Sequence, residues 1–257
     1  MLLEGLRWTQ LRGLAGRVFV APLGATEQHG LHLPLATDAI IVSEIARRVE
    51  ARMPDQIVLA PVQWLGHSPH HAHFGCLSLN LGPYMEMIQG LCRSMEAMGA
   101  RKIFLFNGHG GNDAPCRAAL SELKRQLPHL QVALASYWTL AGEAFSRIRT
   151  SPPGGMGHAC EMETSILLAL RPGLVKLDEA VDDGTFQESN RYRVLDMLRP
   201  QPYFMVRDFH ELSESGTLGM PSHATTEKGE QFLAAAADAV AQFLGEFAGW
   251  PAATLKP

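Results

Sequence analysis

A strong charge of one sign is missing from this chain: 19% of its 257 residues are charged, and acidic residues outnumber basic ones only by 26 to 22. A net charge of −4 leaves no basic footprint for nucleic acid. No run of 18 apolar residues is available to span a bilayer. The first 20 residues carry neither a secretory apolar region nor an Arg- and Ser-rich transit pattern, so a cytoplasmic protein is expected. Cysteines are few. Cys76, Cys92, Cys116 and Cys160 are scattered without a C-x-x-C, which argues against a disulfide framework or a zinc ribbon. There is no internal repeat, and no G-x-S-x-G elbow of a serine hydrolase. Hydrophobic residues make up 46%, enough for a real core and too many for a disordered chain. Histidine is what the chain has in quantity: eleven, several beside acids and glycines.

Apolar runs at 17–22, 57–61, 101–106 and 132–136 read as buried strands. Between and after them, segments 37–53, 82–98, from about 114, 159–170 and 226–247 carry apolar residues at helical spacing. Thr37 or Asp38 stands where an N-cap belongs, Gly99 where a helix stops, and Thr225 or Thr226 caps the last helix. Strands alternating with helices predict an α/β protein, a mostly parallel central sheet covered on both faces. Residues 1–257 read as one domain with long loops at about 64–81, 138–157 and 203–223, a length that is usually functional.

Three polar clusters follow these elements. The first, residues 24–38, starts where the first strand ends, and the carboxyl ends of strands line the active crevice of open α/β sheets. Glu27 and His29 leave one face of an extended backbone, and with Asp38 they form a ligand set suited to Zn²⁺ or Mn²⁺. The alternative is two capping acids and a solvated histidine. The second cluster, 107–112, follows the third strand and offers His109 as a further ligand. It is no dinucleotide fingerprint, because Asp113 stands where the last glycine belongs. The third, 157–165, places Glu161 and Glu163 on the first turn of an apolar helix, where a cation, hydrogen bonds or the helix dipole must hold them. The two point about 200° apart, so one metal does not take both. His67, His70, His71 and His73 crowd 66–74 and either line a pocket or form a polar loop. Trp64, Trp138 and the residues around 203–209 are candidate pocket walls, while His210 and His223 read as solvated and Cys160 as structural.

Together, T-E-Q-H-G-x-H-L-P-L-x-T-D at 26–38, N-G-H-G-G-N at 107–112 and H-A-x-E-x-E-T-S at 158–165 resemble the creatininase family, over about residues 15–245. The resemblance implies a three-layer α/β/α fold, two divalent metal ions per chain (Zn²⁺, with Mn²⁺ or Fe²⁺ as alternatives), and hydrolysis of a non-peptide or cyclic C–N amide bond by a metal-bound hydroxide. It also implies a homo-oligomer, a hexamer, acting on a small-molecule substrate. Position by position, it puts Glu27 and His109 on one metal and His29 on the other, with Asp38 bridging and His158 as catalytic histidine. Gly110 and Gly111 become candidate oxyanion or substrate contacts.

Creatinine-hydrolysing members carry a carboxylate where this chain has Gly111 and look apolar at the position of Glu161. Glu161 is therefore expected to complete the second metal site, with Glu163 an outer partner or the alternative ligand. The N-G-H-G-G-N form is also similar to deformylases, to peptide-processing enzymes of cofactor maturation and to hydrolases of sugar-derived lactones or ketones. A deformylase or peptide-processing hydrolase with the same centre is thus the alternative activity. A catalytically inactive ligand-binding member is the third reading.

Overall fold

In a computed structural model the chain is described over residues 1–184, 192, 195–199 and 202–251. The expected domain of 1–257 thus includes stretches, 252–257 among them, that lie outside the described residues. Four strands, β1 (Val18–Leu23), β3 (Ile57–Leu59), β5 (Lys102–Asn107) and β6 (Gln131–Ser136), form one parallel sheet in the order β3-β1-β5-β6. All four match the apolar runs expected to be strands.

Alternation along these strands sorts the core into two layers. Val18, Val20, Phe104 and Phe106 face α1 (Thr37–Arg52), α6 (Glu161–Leu170) and α7 (Thr226–Gly249), packing on Ile41, Ile45, Ile166, Phe232 and Val240. Phe19, Ala21, Ile103 and Leu105 face α2 (Leu81–Ala97) and α3 (Asp113–Gln126), packing on Tyr84, Ile88, Ala119 and Leu123. Each large apolar side chain so buried contributes about 1.5–3 kcal/mol by leaving water. The expected three-layer α/β/α fold is present.

The connection from β1 through α1 runs to one side of the sheet, and those through α2 and α3 run to the other. With right-handed crossovers this puts α1 on one face and α2 and α3 on the opposite face. The strand order therefore reverses between β1 and β5, and that crevice is where open α/β sheets bind ligands. Both of the first two polar clusters emerge there.

Shorter elements shape the crevice. β2 (Thr26–Glu27) pairs antiparallel with β4 (Cys76–Leu77), and β7 (Met156–His158) with β8 (Leu218–Gly219). The segments expected as loops thus contain structure: these ribbons, and helices α4 (Tyr137–Leu140) and α5 (Gly142–Ile148). Two boundaries also differ. The N-cap of α1 is Ala36; Thr37 Oγ1 donates instead to the Pro34 carbonyl at 2.7 Å, and Asp38 is turned toward the crevice. Helix α6 begins at Glu161 rather than at 159, because Ala159 takes a left-handed φ of +50°. Gly99, in left-handed φ after α2, and Thr225, which accepts from Lys228 N, terminate and cap their helices as expected. Among the described residues no helix is long and apolar enough to cross a membrane.

Candidate metal centre

Glu27 ends β2, clamped by its backbone N–H to the Leu35 carbonyl at 2.9 Å. Gly30, at φ +64°, then turns the chain so that His29 points back into the crevice. Asp38 comes from the first turn of α1. His109 follows β5, whose Asn107 side chain donates to the His109 carbonyl at 2.8 Å and fixes the loop. His158 ends β7, and the left-handed Ala159 beside it costs about 1–2 kcal/mol in backbone strain. That strain turns the chain between His158 and the start of α6.

These segments, distant in sequence, meet. Glu27 Oε1 lies 3.2 Å from His109 Nδ1, 3.1 Å from His71 Nε2 and 3.9 Å from His158 Nδ1. Asp38 stands between two histidines, with Oδ2 3.1 Å from His109 Nδ1 and Oδ1 3.1 Å from His29 Nε2. Glu163 Oε1 lies 3.9 Å from His29 Nε2. Ligand-type atoms gather in three overlapping groups: Glu27, Asp38 and His109; His29, His158 and Glu163; and Glu27, His71 and His158. All of these residues are buried.

Glu161 is not among them. Its Oε1 accepts from Thr150 N at 2.9 Å and from Lys228 Nζ at 2.7 Å, and its Oε2 from Ser151 N at 2.9 Å. The expectation that Glu161 completes the second site is therefore corrected: the start of α6 turns Glu163 to the crevice and Glu161 to the opposite side. At Gly111, where the resemblance would place a carboxylate, a β-carbon would collide with the His67 carbonyl, His109 Nε2 and His70 Cε1. Gly110 and Gly111 line the same cavity.

The donor set suits a cation. Both carboxylate oxygens of Glu27, and Oδ2 of Asp38, are buried without an aligned hydrogen bond, although ring nitrogens approach within 3.2 Å. An unsatisfied buried carboxylate is costly, and atoms that converge without pairing are placed as ligands are. The pKa shifts report the same negative field. Burial alone would push His29 down, but Asp38, then Glu163 and Glu27, raise it to about 9. His109, equally buried, is raised well above its usual value by Glu27 and Asp38. Glu27 is held well below the carboxylate range because His109 and His71 outweigh its burial. Glu163 is pushed up to about 7 by burial and the Asp38 charge, which outweigh the pull of His29. His158 goes the other way, well below 6.5, through burial and its neighbours His29 and His71.

The centre floors a cavity of about 300 Å³ walled by Trp138, Leu195, Met197, Phe209 and Leu218. Trp138 and Phe209 are thus walls as expected, whereas Trp64 is half exposed elsewhere. Of the crowded histidines, His70 and His71 line the cavity; His67 Nδ1 lies 2.9 Å from the Leu79 carbonyl oxygen, and His73 is exposed beside His210. His223, expected to be solvated, lies 3.0 Å from Thr150 Oγ1 through its Nδ1. Cys160 is buried, its thiol pushed well up by that burial, as a structural cysteine should be. Gln28, overlooked in the sequence, approaches two cavity residues through its side-chain nitrogen, His71 at 2.9 Å and His158 at 3.2 Å. The one signal for it was its place between two candidate ligands.

Comparison with known proteins gives the family and the fold. The chain is 32% identical over 228 residues to the mycofactocin precursor peptide peptidase of Mycobacterium tuberculosis, covering 85% of this chain and 81% of that one. It is 29% identical over 245 residues to creatinine amidohydrolase of Pseudomonas putida, covering 89% of each. Among solved structures, the manganese form of creatininase superposes with a TM-score of 0.78 at 26% identity, covering 95% of this chain and 97% of that one. A Zn-Zn creatininase variant superposes at 0.77 and 25% identity over the same shares. The family description "Creatinine amidohydrolase" matches residues 4–244, almost the whole length over which the crevice is built. The chain belongs to the creatininase family of hydrolases.

Proposed function

We propose that the protein is a two-metal hydrolase that cleaves the C–N bond of a compact amide. The unpartnered buried oxygens of Glu27 and Asp38, converging with His29 and His109, carry this reading. Glu27, His109 and one oxygen of Asp38 would hold one divalent ion; His29, Glu163 and the other oxygen of Asp38 would hold the second. When bound, such a pair supplies a water of lowered pKa and polarises the amide carbonyl. Zinc and manganese both suit the donor set.

The rest is work for the chain itself. His158 Nε2 lies 2.7 Å from the Gln28 carbonyl, which can only accept, so Nδ1 faces the centre unprotonated. It takes the proton released at the attacking water and delivers it to the departing nitrogen. The backbone of Gly110 and Gly111 offers N–H groups to the carbonyl oxygen as it gains charge. Trp138 and Phe209 hold the substrate's apolar side and exclude water. The cavity volume lies at the low end for ligand sites and favours a small amide such as a cyclic urea, a lactam or a formamide.

A second reading, cleavage of an amide within a peptide tail, is favoured by the identity to a peptide peptidase and by the strongly exposed apolar residues Phe204 and Val206 close in sequence to Phe209. Zinc- or manganese-loaded protein assayed against cyclic ureas, formamides, lactams, lactones and short peptides separates the two. Turnover of one class is expected, abolished by chelation, by Glu163→Gln and by His158→Ala but retained in Glu161→Gln. Turnover that survives complete metal removal would sink the proposal.

A further inference from the structure

Four imidazoles surround the Glu27 carboxylate, and the partners of their outward nitrogens sort them. His29 Nδ1 lies 3.0 Å from the Glu27 carbonyl oxygen, His109 Nε2 3.2 Å from that of His67, and His158 Nε2 2.7 Å from that of Gln28. A carbonyl only accepts, so each of these nitrogens carries a hydrogen. The nitrogen turned to the centre is then the one with a lone pair for a cation or a proton.

His71 is built the other way round. Its outward Nδ1 lies 2.9 Å from the side-chain nitrogen of Gln28. That amide cannot be flipped: Gly30 N–H donates to its Oε1 at 2.8 Å, and its Nε2 donates to the Gly216 carbonyl at 3.0 Å. Gly216 approaches so closely, at φ +83°, that a β-carbon there would collide with the amide. An amide nitrogen only donates. His158 Nε2, 3.2 Å from the same nitrogen, is itself a donor to the Gln28 carbonyl and takes no hydrogen from it. The two amide hydrogens therefore go to Gly216 and to His71 Nδ1. Stacking of the Phe209 ring on His71, with centroids 3.9 Å apart, holds the imidazole in plane.

We infer that His71 is a donor whose Nε2–H is turned to Glu27 Oε1, 3.1 Å away, and that Gln28 is the positioning residue that sets its tautomer. The group of Glu27, His71 and His158 is then no third cation site, because the nitrogen that His71 presents carries a hydrogen. The role of this donor, holding a ligand to the first ion, rests on the hydrolase reading above; the tautomer does not. Three of the four imidazoles thus turn a lone pair inward, while the fourth donates its hydrogen to the carboxylate that would hold the first ion.

Zinc-loaded protein labelled with ¹⁵N-histidine tests this through two-bond ¹H–¹⁵N correlation spectra, with the His71 signals identified by their loss in His71→Gln. The wild type is expected to show Nε2–H at His71, with zinc content unchanged in His71→Gln. Gln28→Glu presents an acceptor-only carboxylate to Nδ1. It is expected to invert the tautomer at His71 alone, which turns a lone pair onto Glu27 and weakens zinc binding about 10-fold. An Nδ1–H tautomer at His71 in the wild-type spectrum, or loss of zinc in His71→Gln, would overturn the inference, and the wild-type spectrum decides even if the variants do not fold. Expected tautomers in a protein that hydrolyses nothing in the panel would remove the hydrolase reading and leave the tautomer assignment standing.

Discussion

Glu161 and Glu163 leave the first turn of α6 two residues apart and meet opposite surroundings. Glu161 is fully buried, yet Thr150 N, Ser151 N and Lys228 Nζ satisfy it, and these bonds hold its carboxyl below the usual range against the effect of burial. It ties α6 to α7 and to the segment around 150. Lys228→Met strands that charge; about 3 kcal/mol of stability in urea should disappear, with the zinc content unaltered. A variant that loses zinc instead would return Glu161 to the centre. Glu27, His29 and His109 were legible in the sequence as candidate ligands because each stands at or just beyond a strand's carboxyl end, and Asp38 because it opens the helix that follows the first of them. The choice between Glu161 and Glu163 was not. It depends on the phase of α6, and that phase is set by the φ of Ala159, an alanine in a conformation that its side chain disfavours.

At the scale of elements, the strands and long helices followed from periodicity because each buries a face of the sheet. The β7–β8 ribbon did not, being two and three residues long and held largely from outside itself. Asp183 is one of its anchors. Its backbone pairs with Gly219, while its carboxylate accepts from Ser213 Oγ at 2.8 Å and from Ser215 N at 2.9 Å. Against a rise from burial, the bonds from Ser215, Ser213 and Gly184 lower its pKa below 3.8. A carboxylate depressed on folding stabilises fully above its unfolded value, near 3.9, and that contribution fades as pH falls through the folded value. Amide protection at 213–219, corrected for intrinsic exchange, should thus be flat from pH 7 to 5 and fall below about pH 4. Asp183→Asn should show the loosened state already at pH 7. Equal protection in both proteins would detach Asp183 from that ribbon.

For the molecule as a whole, three carboxylates gather at the candidate centre between α1, the β5 loop and α6, so a cation displacing the protons of His29 and His109 there would link its binding to folding. Zinc at 100 times its Kd should stabilise the protein by about 2.7 kcal/mol, a rise in Tm of roughly 5–10 °C. Most of that shift should vanish in Glu27→Gln. A Tm indifferent to both zinc and chelator would mean that no cation is bound there in the native state.

The register between β1 and β5 has one last consequence. Pro22 pairs with Phe106 and Leu23 with Asn107, so the stems that carry Glu27 and His109 are bolted together by adjacent rungs of one ladder. The opposite wall is held less evenly: Trp138 follows the sheet strand β6, Leu218 sits in the short β7–β8 ribbon, and Met197 and Phe209 lie outside any strand. The cavity is a vice with one jaw cut from a single ladder and the other assembled from separate pieces. A substitution in the second jaw therefore changes the shape offered to a guest while leaving the tool held in the first undisturbed.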